Sequence, residues 1–174
     1  MKHGVFVLTT GLSILTPLRT NFPYPWWTSC WMSWGHASWL SKLDLFSGFH
    51  QILMVPTDYE KTAFRTHNGY FEFRVILFGL CNSSSTFQAT MNDLFSPHLH
   101  CFIIVFFDDI FVYSQTLSEH VSHLETTFQL FLSNCFRLKG SKCFIGHQSI
   151  RYLGDMVSNK SVQPDLEKLV AVRN

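Results

Sequence analysis

Residues 102–114 read FIIVFFDDIFVYS, and this stretch decides the fold that the sequence predicts. Two runs of apolar and aromatic residues, 102–107 and 110–113, flank the pair Asp108 and Asp109. Short apolar runs bounded by polar residues indicate buried strands, and aspartate is common in turns. We therefore predict a hairpin of two apolar strands, joined by a tight turn that the two aspartates form.

The acidic pair is costly to bury, because an ionised carboxylate loses its hydration. No lysine or arginine lies next to the pair in the sequence, and Asp44 is a further carboxylate at a predicted strand end, between Leu43 and Leu45. A divalent cation would offset the cost, since Mg²⁺ prefers one or two carboxylates together with substrate phosphates. Carboxylates from two strands can also bridge two metal ions. The alternative is an ordinary polar turn, because aspartate suits turn positions.

Strands and helices are mixed on both sides of this hairpin. In chain order we predict strands at 39–45, 61–66 and 70–76, a helix capped by Ser83, Ser84 or Ser85 that ends before Pro97, the hairpin, a helix capped by Ser118, and a strand pair at 151–157. The Asn-Gly pair at 68–69 is a strong hairpin signal. The second helix carries Val121, Leu124, Phe128 and Leu132 on one face. Without regular βαβ alternation, the fold class is α+β, an antiparallel sheet packed on helices.

Composition narrows the classes of function. The chain has 174 residues, of which 47% are hydrophobic and 14% charged, with a formal net charge of +1. This composition excludes a disordered or collagen-like chain. It shows no excess of basic residues of the kind that indicates nucleic-acid binding. The longest central apolar run, 101–107, is far shorter than the about twenty residues of a membrane span, so we expect no membrane partner. Five cysteines without a close pair favour a reducing compartment, cytoplasm or nucleus, over secretion.

Several motifs, taken in order, resemble a known family. They are SKLDLFSGFHQI at 41–52, KTAFRT at 61–66, FGL at 78–80 followed by Asn82, TFQ at 86–88 with Met91 and Asn92, FFDDI at 106–110, VYS at 112–114, SKC at 141–143 and YLG at 152–154. This series resembles the reverse transcriptase domain of Ty3/gypsy-type LTR retrotransposon polyproteins. The resemblance extends over most of the chain, from Gly35 to Val172.

The resemblance implies a polymerase palm with partial fingers and an RNA-directed DNA polymerase activity. Asp44, Asp108 and Asp109 would be both the catalytic residues and the metal ligands. Asp44 and Asp108 would bind the metals directly, and Asp109 would support them. The cofactors would be two Mg²⁺ ions, with Mn²⁺ as the alternative, and the partners would be template–primer nucleic acid and dNTPs.

The same resemblance assigns two further groups of residues. The nucleotide-binding residues would be Leu45, Gly48, Phe49, Phe78 and Gly79. The primer-binding residues would be Tyr152, Leu153 and Gly154. Phe49 would fill the space of a ribose 2′-hydroxyl and so favour deoxynucleotides, although Phe49 taken alone is more simply a core aromatic. The chain departs from the family at Phe46, where Arg is usual, and at Leu77, where Pro is usual, which would loosen the nucleotide pocket.

Residues 1–36 are the first of three predicted parts, and their composition is unusual. They contain no Asp or Glu and four of the five tryptophans. Moving the reading frame back by one base converts the codons of Trp27, Thr28 and Met32 to Val, Asp and Asp, and it allows the acidic helix that the family has here. We therefore predict a degraded or frame-shifted fingers segment, displaced over residues 5–34, which the coding DNA would verify. The alternative is a genuine aromatic interaction surface.

The second predicted part, 37–100, would hold fingers and palm with the first catalytic aspartate. The third, 101–174, would hold the palm with the Asp-Asp hairpin and primer-grip-like strands. Besides a polymerase module, the sequence leaves open a catalytically dead retroelement remnant and an aromatic-rich protein-interaction module. His120 and His123 lie one helical turn apart, but no further zinc ligands lie nearby in the sequence. We therefore predict two solvated helix residues.

Overall fold

The computed structural model of the chain describes residues 37–152, 155–158 and 162–164. The frame-shift prediction for residues 1–36 lies outside these ranges, and so do residues 153–154 of the predicted primer-binding group. Within the described ranges, no helix is both long enough and apolar enough to cross a membrane.

The elements form three antiparallel sheets and two α-helices in the described part of the chain. Strands β1 to β9 span Trp39–Asp44, Phe64–Thr66, Gly69–Phe71, Ile103–Phe106, Asp109–Ser114, Phe144–His147, Ser149–Tyr152, Asp155–Ser158 and Val162–Pro164. Helices α1 and α2 span Ser83–Phe95 and Leu117–Ser133, and 3-10 helices span Gly48–Gln51, Pro56–Thr62 and Gly140–Lys142. The sheet orders are β4-β5-β1-β6, β2-β3 and β7-β8-β9. The predicted α+β class is confirmed, and α1 ends before Pro97 as predicted, but its N-cap is Asn82 rather than one of the three serines that follow.

One face of the four-stranded sheet forms the main core. Leu43 of β1 and Ile110 of β5 lie in the same buried cluster as Phe87 of α1. Fully burying a side chain of this kind contributes about 1.5–3 kcal/mol. Because successive strand residues point to opposite faces, Lys42 and Asp44 lie on the other face of the same strand. The apolar core therefore fixes the face from which the acidic residues project.

The central hairpin differs from the prediction at its turn. Phe106 pairs with Asp109, so the two-residue turn consists of Phe107 and Asp108. Phe107 has a φ of 51°, a left-handed conformation that bulky residues rarely adopt. The predicted Asp-Asp turn is therefore wrong by one residue, because Phe107 takes the position that turn preferences assign to aspartate. As a result, one carboxylate lies in the turn and the other in strand β5.

The hairpin of β2 and β3 forms as predicted, but Thr66 pairs with Gly69, so its turn is His67 and Asn68 rather than Asn68 and Gly69. Its strands are also shorter than predicted. Lys61 and Thr62 lie in a 3-10 helix rather than in a strand. The Thr62 hydroxyl donates to the Tyr59 carbonyl at 2.7 Å and accepts from the Phe73 amide at 2.9 Å. A side chain that bonds the backbone in this way offers an alternative to strand pairing.

Helix α2 begins and packs differently from the prediction. Its cap is Thr116 rather than Ser118, and Thr116 and Glu119 form a reciprocal capping box. The buried residues of the helix are His120, Leu124, Thr127 and Phe131. Of the predicted apolar face, Leu124 is buried, whereas Val121 and Leu132 are 59% and 73% exposed. The prediction was wrong for the exposed residues because it counted only apolar residues and did not allow for polar ones inside.

His120 is buried rather than solvated, which corrects the histidine prediction. It is 1% exposed, with Nε2 at 2.7 Å from Ser41 Oγ and Nδ1 at 2.9 Å from Ser114 Oγ. Ser114 Oγ also lies 2.8 Å from His123 Nδ1. Burial, followed by the nearby His123, lowers the pKa of His120. We call these four residues the histidine–serine network. It joins α2 to β1 and β5.

Candidate active site

The three predicted catalytic carboxylates meet at one end of the four-stranded sheet. Asp44, the last residue of β1, lies directly opposite Asp109, the first residue of β5. Residues opposite each other in an antiparallel pair are about 4.5–5.5 Å apart at Cα, and their side chains share a face. Asp108 immediately precedes Asp109 and lies in the turn. Strand register therefore brings together residues that are 64 or 65 positions apart in the sequence.

Two lysines lie beside these carboxylates, although the sequence predicted no basic neighbour. Lys42 Nζ is 2.9 Å from Asp109 Oδ1, and the two side chains are 20% and 24% exposed. Lys142 Nζ is 3.6 Å from Asp44 Oδ2. The prediction considered only residues adjacent in sequence, whereas these lysines come from β1 and from the last 3-10 helix. Two features could have revealed them: Lys42 lies two residues before Asp44, and Lys142 belongs to the SKC motif.

Asp108 is the carboxylate with the least compensation. Its Oδ1 is buried and has no hydrogen-bond partner in the described part of the chain. Burial, followed by the charges of Asp44 and Asp109, raises the pKa of Asp108, and Lys142 acts weakly in the opposite direction. An ionised oxygen left without a donor costs free energy. A cation at this point would supply the missing partner.

The donor set fits a hard divalent cation, but it is not preassembled. Carboxylate oxygens are the ligands that Mg²⁺ prefers, and the buried Asp108 oxygen is available for one. Across the described ranges, however, no three His, Cys, Asp or Glu side chains are grouped as a ready metal site. Two of the three carboxylates contact lysine ammonium groups instead. Metal binding would therefore require these carboxylates to rearrange.

Gly48 leaves the space that Asp108 occupies. It is the first residue of the 3-10 helix after β1 and follows Ser47, which has a φ of 51°. A Cβ built on Gly48 would lie 2.5 Å from Asp108 Oδ1 and 3.1 Å from two ring atoms of Phe87. A larger residue would therefore displace the carboxylate or the aromatic ring. Close approach of this kind is a reason for glycine at this position.

Gln88 of α1 holds the hairpin turn, a role that the sequence analysis missed. Its Oε1 accepts from the Phe107 amide at 2.8 Å, and its Nε2 donates to the Val105 carbonyl at 3.1 Å. The Nε2 group also donates to Asn92 Oδ1 at 2.9 Å. These bonds fix the backbone at Val105, before the turn, and at Phe107, within it, and so help to position Asp108. The only feature of the sequence that could have indicated this role is the amide side chain of Gln88, which belongs to the TFQ motif in a helix predicted beside the hairpin.

Gln51 fixes the chain that follows Asp44 in a similar way. Its Nε2 donates to the carbonyls of Phe46 and Arg137 at 2.7 and 3.0 Å, and its Oε1 accepts from the Arg137 amide at 2.6 Å. The Lys139 amide donates to the Asp44 carbonyl at 2.9 Å. This segment leads into the last 3-10 helix and so brings its lysine beside the carboxylate.

The predicted nucleotide-binding residues lie around the same end of the sheet. Phe49 is 3% exposed, and its ring centroid is 4.6 Å from that of Phe87 and 4.1 Å from that of Phe78. Phe78 is itself 72% exposed, and Gly79 beside it has a φ of 98° that favours glycine. Leu45 is buried in the main core. Phe49 is therefore a core residue covered by Phe78 in this conformation, and its role as a gate stays a prediction.

Of the predicted primer-binding residues, only Tyr152 falls within a described range. Its backbone ends β7 and pairs with Asp155 of β8. Ile150 and Val157 of the same two strands belong to a second buried cluster, together with Leu40 of β1. This cluster packs the three-stranded sheet against the face of β1 that carries the lysine and the first aspartate.

The comparisons with known proteins identify the family. The model for reverse transcriptase (RNA-dependent DNA polymerase) matches residues 9–157. The chain belongs to the reverse transcriptase family. It is 34% identical over 139 residues to the retrovirus-related Pol polyprotein from transposon gypsy, and 31% identical over 171 residues to that from transposon 297, both of Drosophila melanogaster. These relatives confirm the predicted Ty3/gypsy-type reverse transcriptase domain.

The alignments differ in how much of each protein they cover. They include 80% and 98% of this reverse transcriptase chain but only 13% and 16% of the gypsy and 297 polyproteins. An RNA-directed DNA polymerase homolog of Oenothera berteroana is 38% identical over 110 residues, which is 62% of this chain and 78% of that protein. The matched module is therefore a small part of the transposon polyproteins.

Solved structures confirm the fold of this reverse transcriptase module. The foamy viral protease-reverse transcriptase in complex with RNA/DNA hybrid has a TM-score of 0.73 at 24% identity, covering 80% of this chain and 19% of that one. The same type of enzyme in complex with double-stranded DNA gives 0.74 at 24% identity, covering 80% of this chain and 24% of that one. Reverse transcriptases generally use divalent metal ions.

Proposed function

We propose that the chain is the fingers–palm part of an RNA-directed DNA polymerase from a retrotransposon, and that it binds two Mg²⁺ ions, with Mn²⁺ as the alternative. The observation that carries the proposal is the meeting of Asp44, Asp108 and Asp109 at one end of the sheet. The buried Asp108 oxygen without a partner supports a cation there.

In this proposal the carboxylates hold the metal ions and the surrounding residues hold the carboxylates. Asp44 and Asp108 are the direct ligands, and Asp109 supports them. Bound divalent ions would activate the primer 3′-hydroxyl and neutralise charge on the dNTP phosphates. Gln88 keeps the turn in place, and Gly48 leaves room for its carboxylate. Positioning of this kind contributes much of the catalysis in phosphoryl transfer.

The proposed substrates are a template–primer duplex and a dNTP. Two of the solved relatives are reverse transcriptases in complex with an RNA/DNA hybrid and with double-stranded DNA. The exposed ring of Phe78 and the open backbone at Gly79 make the proposed surface for the incoming nucleotide. Phe49 would reach the sugar only after Phe78 moves aside. The backbone around Tyr152 would lie along the primer strand.

Primer extension by the 174-residue chain on an RNA template tests this function. We expect Mg²⁺-dependent extension in the unaltered chain and none above background in Asp108→Asn, because the substitution removes a proposed metal ligand. Asp93→Asn on the exposed side of α1 is the matched control and should extend like the unaltered chain. Extension that is equal in all three proteins, or absent from all three while the chain is folded, would contradict the proposal.

A further inference from the structure

Lys42 is the more buried of the two lysines at the acidic end. Its side chain is 20% exposed, whereas that of Lys142 is 58% exposed. Lys42 lies opposite Phe111 of β5 and opposite Phe144 of β6. Lysine commonly lays its aliphatic stem along apolar neighbours while its ammonium group reaches a polar site. Here the ammonium group lies 2.9 Å from Asp109 Oδ1.

The strand register explains why this pair forms. Asp44 and Asp109 lie directly opposite each other, and like charges in that position destabilise a sheet. Lys42 shares the face of Asp44 because the two are two positions apart along β1. It therefore stands diagonally across from Asp109, within reach of a long side chain. The Lys42 ammonium group offsets the repulsion between the carboxylates of Asp44 and Asp109.

The same ion pair occupies an oxygen of Asp109, the carboxylate that would support the two direct metal ligands. Asp109 Oδ1 contacts the lysine, and no three-carboxylate metal site is preassembled among the described residues. A divalent ion at the acidic end would have to draw this carboxylate away from the ammonium group, or bind beside a positive charge. Both alternatives weaken binding of the ion.

We propose that Lys42 is a positioning residue that competes with the divalent ion for Asp109. It stabilises the acidic end of the sheet without metal and lowers the affinity for metal. The inference rests on the metal site proposed above. It goes further in assigning to one lysine the control of when the third carboxylate becomes available.

Metal affinity, measured without nucleotide or primer, tests the inference. Mg²⁺ is titrated into the 174-residue chain, and its Kd is obtained by calorimetry and from the rise in Tm. In Lys42→Met the neutral side chain keeps the stem, and we expect the Kd to fall by about three- to tenfold because one positive charge has gone. The metal-free Tm should fall at the same time. Lys42→Arg keeps the ion pair, so its Kd for Mg²⁺ and its metal-free Tm should equal those of the unaltered chain.

The control breaks a comparable ion pair elsewhere. Lys61 Nζ lies 2.6 Å from Asp58 Oδ1, whose side chain is 6% exposed. Lys61→Met should therefore lower the Tm and leave the Kd for Mg²⁺ unchanged. If Lys42→Met does not fold, Lys42→Gln, which is neutral and still a hydrogen-bond donor, takes its place with the same expected direction.

Two failures are distinguishable. A Kd for Lys42→Met or Lys42→Gln within twofold of the unaltered chain, with binding abolished in Asp108→Asn, would overturn the role of Lys42 and leave the metal site standing. Mg²⁺ binding that is absent from the unaltered chain, or insensitive to Asp108→Asn, would overturn the metal site and the inference together.

Discussion

Replacing Gly48 by alanine adds a single methyl group at the most crowded point of the acidic end. The new Cβ would lie 2.5 Å from Asp108 Oδ1 and 3.1 Å from two atoms of Phe87, whereas ordinary contacts begin at 3.4 Å. The Phe87 ring is fully buried and cannot withdraw without disturbing the core. We therefore expect Asp108 to move. Overpacking of this kind costs about 1–3 kcal/mol.

The assay compares two alanine substitutions by thermal unfolding with and without Mg²⁺. A loss of 1 kcal/mol lowers the Tm by about 2–4 °C in a chain of this size. Gly140 is the matched control, because it also begins a 3-10 helix and a Cβ there meets nothing within 4 Å. Gly140→Ala should be neutral or stabilising by about 0.4–1 kcal/mol through the unfolded state. Gly48→Ala should lower the Tm and weaken the response to Mg²⁺.

The reasoning is refuted if the two variants have the same Tm and the same response to Mg²⁺. Equal values for the two variants would mean that the Asp108 carboxylate does not limit the space beside Gly48. A lower Tm with an unchanged Mg²⁺ response would show that the methyl group displaces Phe87 rather than Asp108, and the proposed link between this glycine and the metal site would fail.

Two further predictions concern Phe49 and the histidine–serine network. Phe49→Ala should reduce the preference for dNTPs over rNTPs at least about tenfold. The preference is measured as the ratio of the two kcat/KM values in one preparation, which does not depend on the fraction of protein that is folded. An unchanged ratio would exclude the role of Phe49 as a gate. Burial lowers the pKa of His120 and of His123 below the usual 6.5, so the unfolded chain takes up protons first as the pH falls. Stability should be full above pH 6.5 and should decrease as the pH falls towards the lowered values. Urea unfolding should show that decrease, and a slope unchanged in His120→Gln would contradict it.

Local patterns in the sequence were sufficient for most elements near the site. Strand β1, helix α1 and the two strands of the central hairpin follow from apolar runs and helical spacing, because their apolar residues are buried, those of the strands on both faces of the sheet. The turn was misplaced because Phe107 is held in a left-handed conformation by bonds from Gln88. A tertiary contact of this kind overrides turn preference and leaves no mark in the local sequence.

The aspartate that each lysine contacts was not predicted for a related reason. Lys42 meets Asp109 only through the pairing of β1 with β5, and Lys142 meets Asp44 through a segment from much later in the chain. The order of the family motifs identified which carboxylates converge. It did not indicate how their charges are offset, since this depends on register and on side-chain reach.

The histidine–serine network gives helix α2 a defined position on the sheet. Ser41 Oγ accepts from the Gly146 amide at 2.9 Å, so its hydroxyl proton can be donated to His120 Nε2. With His120 neutral, its Nδ1–H then donates to Ser114 Oγ, and the Ser114 hydroxyl donates to His123 Nδ1. Sliding or rotating the helix would leave two buried hydroxyls and an imidazole mismatched, a larger penalty than repacking interchangeable aliphatic groups. Matched hydrogen bonds therefore fix the position of this helix, in addition to the core contacts of Leu124 and Phe131, and Val121 and Leu132 remain exposed.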